Sequence, residues 1–257
     1  MNGDMEEQII KQFDSEIERL LRENKKAFAM ITSINSQKKQ TEGFGSGFFY
    51  KKNELPFLIT AKHVAEDIKK NYYQEECDCF IYIAEKSIPI TKMYIVCHEN
   101  YDIAAIPLWD LKTQDYAHVI FFNNTDIVSF EDIPYKTIRY SAVGFIASRN
   151  RIRLRYEPFK AELQHITLFM NDEQEKNTPH IHFRLDPKQM YDKDYKPTIL
   201  NIPKGMSGCP VVEVDNGNLD FPQINLVGMV ISYKTKKLTA IRMDIIDDWL
   251  GYLFTRR

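Results

Sequence analysis

The feature that most constrains this chain is a change of period near residue 27. Before it, Ile9, Ile10, Phe13, Ile17, Leu20 and Leu21 recur at helical spacing among Glu, Lys and Arg, which predicts an amphipathic helix over 4–27. Asp4 is placed to cap its start, and Glu6 and Glu7 suit the positive end of its dipole. From Ala27 onward, apolar residues alternate or form short runs between glycine and polar breaks, the pattern of strands. AFAMITSI, GFGSGFFYK, PFLITAKHVA, CFIYIA, MYIVCH and DIAAIPLW make a first group. TIRYSAVGFIA, RIRLRYEPF, LQHITLFM, HIHFRL, CPVVEV and NLVGMVISY make a second. Two successive groups of short strands predict an all-β chain of two antiparallel units, not a βαβ alternation. The joint falls near 123–135, and MDIIDDWLGYLF reads as a closing helix with Ile246, Trp249, Leu250 and Phe254 along one stripe. The expected organisation is a helix over 1–27 and a body over 28–257, its β units covering about 28–125 and 135–243 and its closing helix 244–255.

Composition narrows the partners. A net charge of -2 gives no electrostatic handle for nucleic acid. No apolar run approaches the roughly 20 residues that cross a bilayer. MNGDMEEQIIKQF carries acids where a secretory leader carries bases, which predicts a cytoplasmic protein. Cys77, Cys79, Cys97 and Cys209 contain no C-x-x-C pair and are expected as free thiols; a strained disulfide or weak metal site at Cys77-x-Cys79 is the alternative. His180 and His182 share a strand face, but no third ligand is evident and no metal is expected. Arg151, Arg153 and Arg155 likewise share a face that reads as solvated.

Chemistry concentrates in Gly205-Met206-Ser207-Gly208-Cys209-Pro210-Val211-Val212, a glycine-flanked serine feeding an apolar run. Glycines on both sides permit a tight, left-handed turn that projects the hydroxyl and gathers successive N–H groups. That arrangement suits an acyl-transfer nucleophile with an oxyanion pocket, although it also occurs in ordinary turns before strands. A serine hydroxyl needs a base. His63 stands where an apolar strand runs into a helical turn at Val64-Ala65-Glu66, and Asp102 immediately precedes an alternating strand.

These segments together resemble the chymotrypsin/trypsin-like serine peptidases of the PA clan. The resemblance lies in Gly45-Ser46-Gly47-Phe48-Phe49, in Leu58-Ile59-Thr60-Ala61-Lys62-His63-Val64, and in Tyr101-Asp102-Ile103-Ala104-Ala105-Ile106-Pro107-Leu108. It continues through the serine segment, Leu226-Val227-Gly228-Met229-Val230, Ala240-Ile241 and Asp248-Trp249-Leu250, with His, Asp and Ser in the family's order. It spans roughly 28–255 and leaves the first helix outside. The resemblance implies two β-barrels with a cleft between them, His63 as base, Asp102 as its orienting acid and Ser207 as nucleophile. An oxyanion hole would come from the backbone of Gly205, Met206 and Ser207, chiefly the N–H groups of Gly205 and Ser207. It implies no cofactor and a protein or peptide substrate.

Three positions depart from the pattern. Met206 replaces the aspartate that zymogen-type members pair with a newly cut amino terminus, so control by such cutting is not expected. The intracellular, bacterial-type branch fits better; the first helix is expected either to pack on the main body or to serve docking, of a regulatory protein, or oligomerisation. Cys209 replaces a glycine and threatens to crowd the serine loop. Lys62 replaces an alanine and is expected to reach for solvent. The resemblance places Asn201, Lys204, Ser232 and Tyr233 around the primary pocket; without an acid at Asn201, cleavage after Arg or Lys is disfavoured. The rival expectation is a non-catalytic barrel that uses the same cleft or first helix to bind protein.

Overall fold

The structure, a computed structural model, describes residues 15, 17–35, 37, 40–74, 77–83, 86–90, 94–109, 111, 112, 116–128, 140–147, 163–170, 178–184, 204–215, 223–234 and 237–255. Strands β1 (Phe28–Asn35), β2 (Gln40–Lys52), β3 (Leu55–Thr60), β4 (Asp78–Ile83), β5 (Lys86–Pro89), β6 (Val96–Cys97) and β7 (Ala104–Pro107) make a seven-stranded sheet in the order β5-β4-β1-β2-β3-β7-β6. Strands β8 (Tyr140–Gly144), β9 (Gln164–Met170), β10 (His180–Arg184), β11 (Pro210–Asp215), β12 (Gln223–Lys234) and β13 (Lys237–Arg242) close into a barrel in the order β10-β13-β12-β11-β8-β9. Every pairing between these strands is antiparallel. Three helices accompany them: α1 (17–24), α2 (Lys62–Gln74) and α3 (Met243–Thr255).

The two-residue period explains how the units are joined. Along β1, Phe28, Met30 and Ile34 enter one core while Ala29 and Ile31 enter another. Phe48 and Tyr50 on β2 and Phe57 and Ile59 on β3 follow the first set; Phe49 and Leu58 follow the second. In the barrel, Tyr140, Ala142, Val211 and Val230 fill the interior, whereas Val143, Val212 and Met229 point out of it. Those outward residues meet the first set of the sheet in one shared core between the units. Strands buried on both faces have no solvent face, which is why they read as near-continuous apolar runs.

The expected all-β architecture with a helix at each end is present, with differences in detail. Only a turn was expected after His63, but α2 runs for 13 residues. Its buried stripe of Val64, Ala65 and Ile68 is sparse among charged residues, so the helical period is easily missed. Strands β5 and β13 are short additions to the expected set. The described part of the first helix is packed: Ile17, Leu20 and Leu21 lie in the shared core beside Ile246 and Leu250 of α3. The Asp4 cap, Glu6, Glu7, Ile9, Ile10 and Phe13, the arginines of 151–155 and the Phe254 side chain lie outside the described residues. Cys77 and Cys79 are buried and not joined in a disulfide.

Candidate active site

His63 is the second residue of α2, so strand β3 and the helix together fix its Cα between two rigid elements. Asp102 sits in the loop from β6 to β7. One carboxylate oxygen lies 2.7 Å from His63 Nδ1, and the other accepts the His63 backbone N–H at 2.9 Å. Gripping both the ring and the main chain of one residue leaves the imidazole little freedom to turn. An ionised carboxylate only accepts, so Nδ1 carries the proton and Nε2 keeps its lone pair. The side chains remain 45% and 29% exposed, so the pair borders solvent.

The electrostatics agree. The Asp102 hydrogen bond raises the His63 pKa above the usual imidazole value; burial opposes it, and the charges of Asp102, Asp67 and Glu66 add to it. Burial alone would raise the Asp102 carboxyl, but hydrogen bonds from the His63 ring and from the His63 and Lys62 backbone outweigh it and hold the pKa below the ordinary range. Each partner stabilises the other's charged form.

The Asp102 loop has supports that the sequence did not reveal. His98 Nδ1 accepts the backbone N–H groups of Asn100 and Tyr101 at 3.0 and 3.2 Å, and His98 N–H donates to the Ile103 carbonyl at 2.9 Å. The His98 ring lies against Tyr101 and against Trp249 of α3, with centroids 4.6 and 5.5 Å apart. Lys62 does not reach for solvent as expected: its ammonium donates to the His98 carbonyl at 3.1 Å. The first turn of α2 brings that carbonyl within reach of the long stem, which ties the histidine segment to the aspartate loop.

Ser207 occupies the tip of a turn between Gly205 and Gly208, whose φ values of +97° and +85° are the left-handed conformations the flanking glycines predict. The turn is closed by Cys209 N–H donating to the Met206 carbonyl at 3.0 Å and is pinned to β12 by Gly208 N–H donating to the Val230 carbonyl at 2.8 Å. Ser46 N–H donates to the Ser207 carbonyl at 2.9 Å, tying the turn to β2 as well. A Cβ on Gly208 would overlap the Ser46 carbonyl oxygen and Thr60 Oγ1 and come within 3.0 Å of Ala61 N. The serine turn is therefore seated against the end of β3, on the residues that lead into Lys62 and His63.

Three successive carbonyls of this turn are each anchored. The Lys204 carbonyl accepts Ala147 N–H at 2.7 Å, the Gly205 carbonyl accepts the Ser46 hydroxyl at 2.6 Å, and the Met206 carbonyl accepts Cys209 N–H. In a planar trans peptide the N–H points opposite to its carbonyl. The N–H groups of Gly205, Met206 and Ser207 are thus each turned away from an anchored oxygen. Among the described residues, no backbone carbonyl accepts from any of the three. Donors in such a turn can gather around an anionic oxygen.

The departures in the serine segment are accommodated. Met206 is buried in the barrel core. Cys209 is fully buried beside Gly144, where an added Cβ would lie 2.6 Å from Cys209 Cβ and 2.7 Å from Ser46 Oγ. The missing side chain at 144 makes room for both, so Cys209 does not displace the serine turn. Of the expected pocket residues, Lys204 is exposed beside the turn, and Ser232 and Tyr233 lie half-buried on β12, opposite Thr239 and Leu238, just past a register shift after Val230. Asn201 lies outside the described residues.

No family model matches the chain, and no curated protein does. Solved structures do. The Rv3671c protease from M. tuberculosis, in its active form, has a TM-score of 0.52 at 10% identity, over 90% of this chain and 82% of that one. A serine protease of human pathogenic astrovirus has a TM-score of 0.46 at 15% identity, over 87% and 93% of the two chains. A structure reported with the coupled folding and binding of the Sesbania mosaic virus VPg protein has a TM-score of 0.47 at 14% identity, over 86% and 89%. The likeness to the Rv3671c protease, at 10% identity, is one of fold, the chymotrypsin-like double barrel.

Proposed function

We propose that the chain is a serine endopeptidase acting on a protein or peptide substrate. The observation that carries this reading is the Asp102 carboxylate holding both His63 Nδ1 and the His63 N–H, at the strand end on which the glycine-flanked serine turn is seated. In the proposed reaction His63 Nε2 takes the Ser207 proton as Oγ attacks the scissile carbonyl, and it then gives that proton to the leaving amine. Asp102 stays ionised, fixes the tautomer and stabilises the imidazolium. The N–H groups of Gly205 and Ser207, with Met206 between them, hold the oxyanion; one such donor is typically worth ~3 kcal/mol of barrier. Water then releases the acyl group from Ser207 by the reverse sequence of proton transfers.

A fluorophosphonate probe tests the reading directly. The wild-type chain should be labelled at Ser207, and Ser207→Ala and His63→Ala should lose labelling while keeping their circular dichroism. Absent labelling of the folded wild type, or equal labelling of Ser207→Ala, would sink the assignment and favour a barrel that binds protein without cutting it.

A further inference from the structure

Ser46 is fully buried where the two β units meet, and each of its polar groups is engaged. Its N–H holds the Ser207 carbonyl at 2.9 Å and its carbonyl accepts the Thr60 hydroxyl at 2.7 Å. Its Oγ accepts Phe145 N–H at 2.9 Å and donates to the Gly205 carbonyl at 2.6 Å. The residue belongs to β2, whereas Phe145, Gly205 and Ser207 belong to the second unit. The Gly205–Met206 peptide borders a glycine, which can rotate at little steric cost, so its orientation needs an external hold. The hydroxyl of Ser46, itself fully buried, is placed to be that hold.

We propose that Ser46 is a positioning residue that fixes the Gly205–Met206 peptide, the link between the Gly205 and Ser207 N–H groups, and so holds those two donors in their relative placement. It would do with a hydroxyl from the opposite unit what the aspartate replaced by Met206 does, through an ion pair, in members switched by amino-terminal cutting. The proposal rests on the peptidase reading for its catalytic consequence, but the hold itself is a property of the turn.

Ser46→Ala removes only the hydroxyl; Ser46→Cys keeps nearly its shape and offers a weak donor, and so serves if the alanine variant does not fold. Two readouts separate the claims. Amide exchange at Gly208 and Cys209 should accelerate in either variant relative to wild type, whether or not the chain is a peptidase; unchanged exchange there overturns the hold. Fluorophosphonate labelling should slow by roughly tenfold or more in Ser46→Ala and by less in Ser46→Cys, with the acid-side pH midpoint unmoved because the His63–Asp102 pair is untouched. Labelling at the wild-type rate, or a slowed rate accompanied by a shifted midpoint, overturns the positioning role. An unlabelled wild type refutes the peptidase reading and with it the catalytic consequence, while the exchange comparison still decides the hold.

Discussion

At the scale of single residues, the His63–Asp102 pair sets the pH response. His63 must be neutral to act as a base, and its contact with Asp102 raises its pKa above the usual value of about 6.5. Activity is therefore expected to rise with pH through a midpoint above ~6.5, read from kcat/KM or from the labelling rate. Asp102→Asn should move that midpoint down and slow the reaction by ~10⁴-fold, since an amide no longer enforces the Nδ1–H tautomer. Stability runs the other way. A raised histidine pKa contributes stability that is full below ~6.5 and fades as pH rises through the folded value. The lowered Asp102 pKa contributes stability above ~3.9 that is lost as pH falls through its folded value. The pair thus supports the fold most between about 4 and 6.5, on the acid side of its best catalytic range.

At the scale of elements, the loop from β6 to β7 is held by one imidazole. His98 Nδ1 accepting from the N–H groups two and three residues onward is a turn that an asparagine oxygen can reproduce. His98→Ala should loosen Asp102 and lower kcat/KM by roughly ten- to a hundredfold, the scale of a small misplacement in an active site. His98→Asn should recover most of it, and failure to do so would mean that the ring's contact with Trp249 matters more than its nitrogen. This loop also shows what sequence can carry. His63, Asp102 and Ser207 stood out as candidates through the ordered resemblance of their segments, each local word being weak alone. Lys62 and Ser46 did not, because their partners are far along the chain, 36 residues for Lys62 and His98 and 159 for Ser46 and Gly205; His98 did not, because a histidine does not by itself announce that its ring closes a turn. A lysine next to the histidine reads as solvated until the carbonyl it meets is known. Helix α2 was half legible, since a stripe of three buried residues in 13 is a weak periodic signal.

At the scale of the whole molecule, the shared core and the helices that close it set the stability. Leu20 and Leu21 of α1 are buried there with Ile246 and Leu250 of α3, so the first helix is part of the body over its described length. Leu20→Ala should cost about 2–5 kcal/mol, read as a lower denaturation midpoint, whereas a helix serving only to dock a partner would show little change. Asp247 of α3 fastens the same region to β2 by accepting the Tyr50 hydroxyl and pairing with Lys52, both at 2.5 Å. The expectation of control by a docked protein rested on Met206 and on this helix. Packing on the body was the other expectation for that helix, and its described part is packed.

The two-faced burial of the central strands has a last consequence, for how such a chain can be divided. Phe28, Met30, Phe48, Tyr50, Phe57 and Ile59 line one side of the sheet and share a core with Val143, Val212 and Met229 of the other unit. A gene cut at the joint would yield a first half that displays this aromatic wall to water, a surface of the kind that drives self-association. The halves are thus bound to one fate in synthesis and in degradation. A serine turn pinned to β2 and seated against the end of β3 keeps its place only where both halves are present.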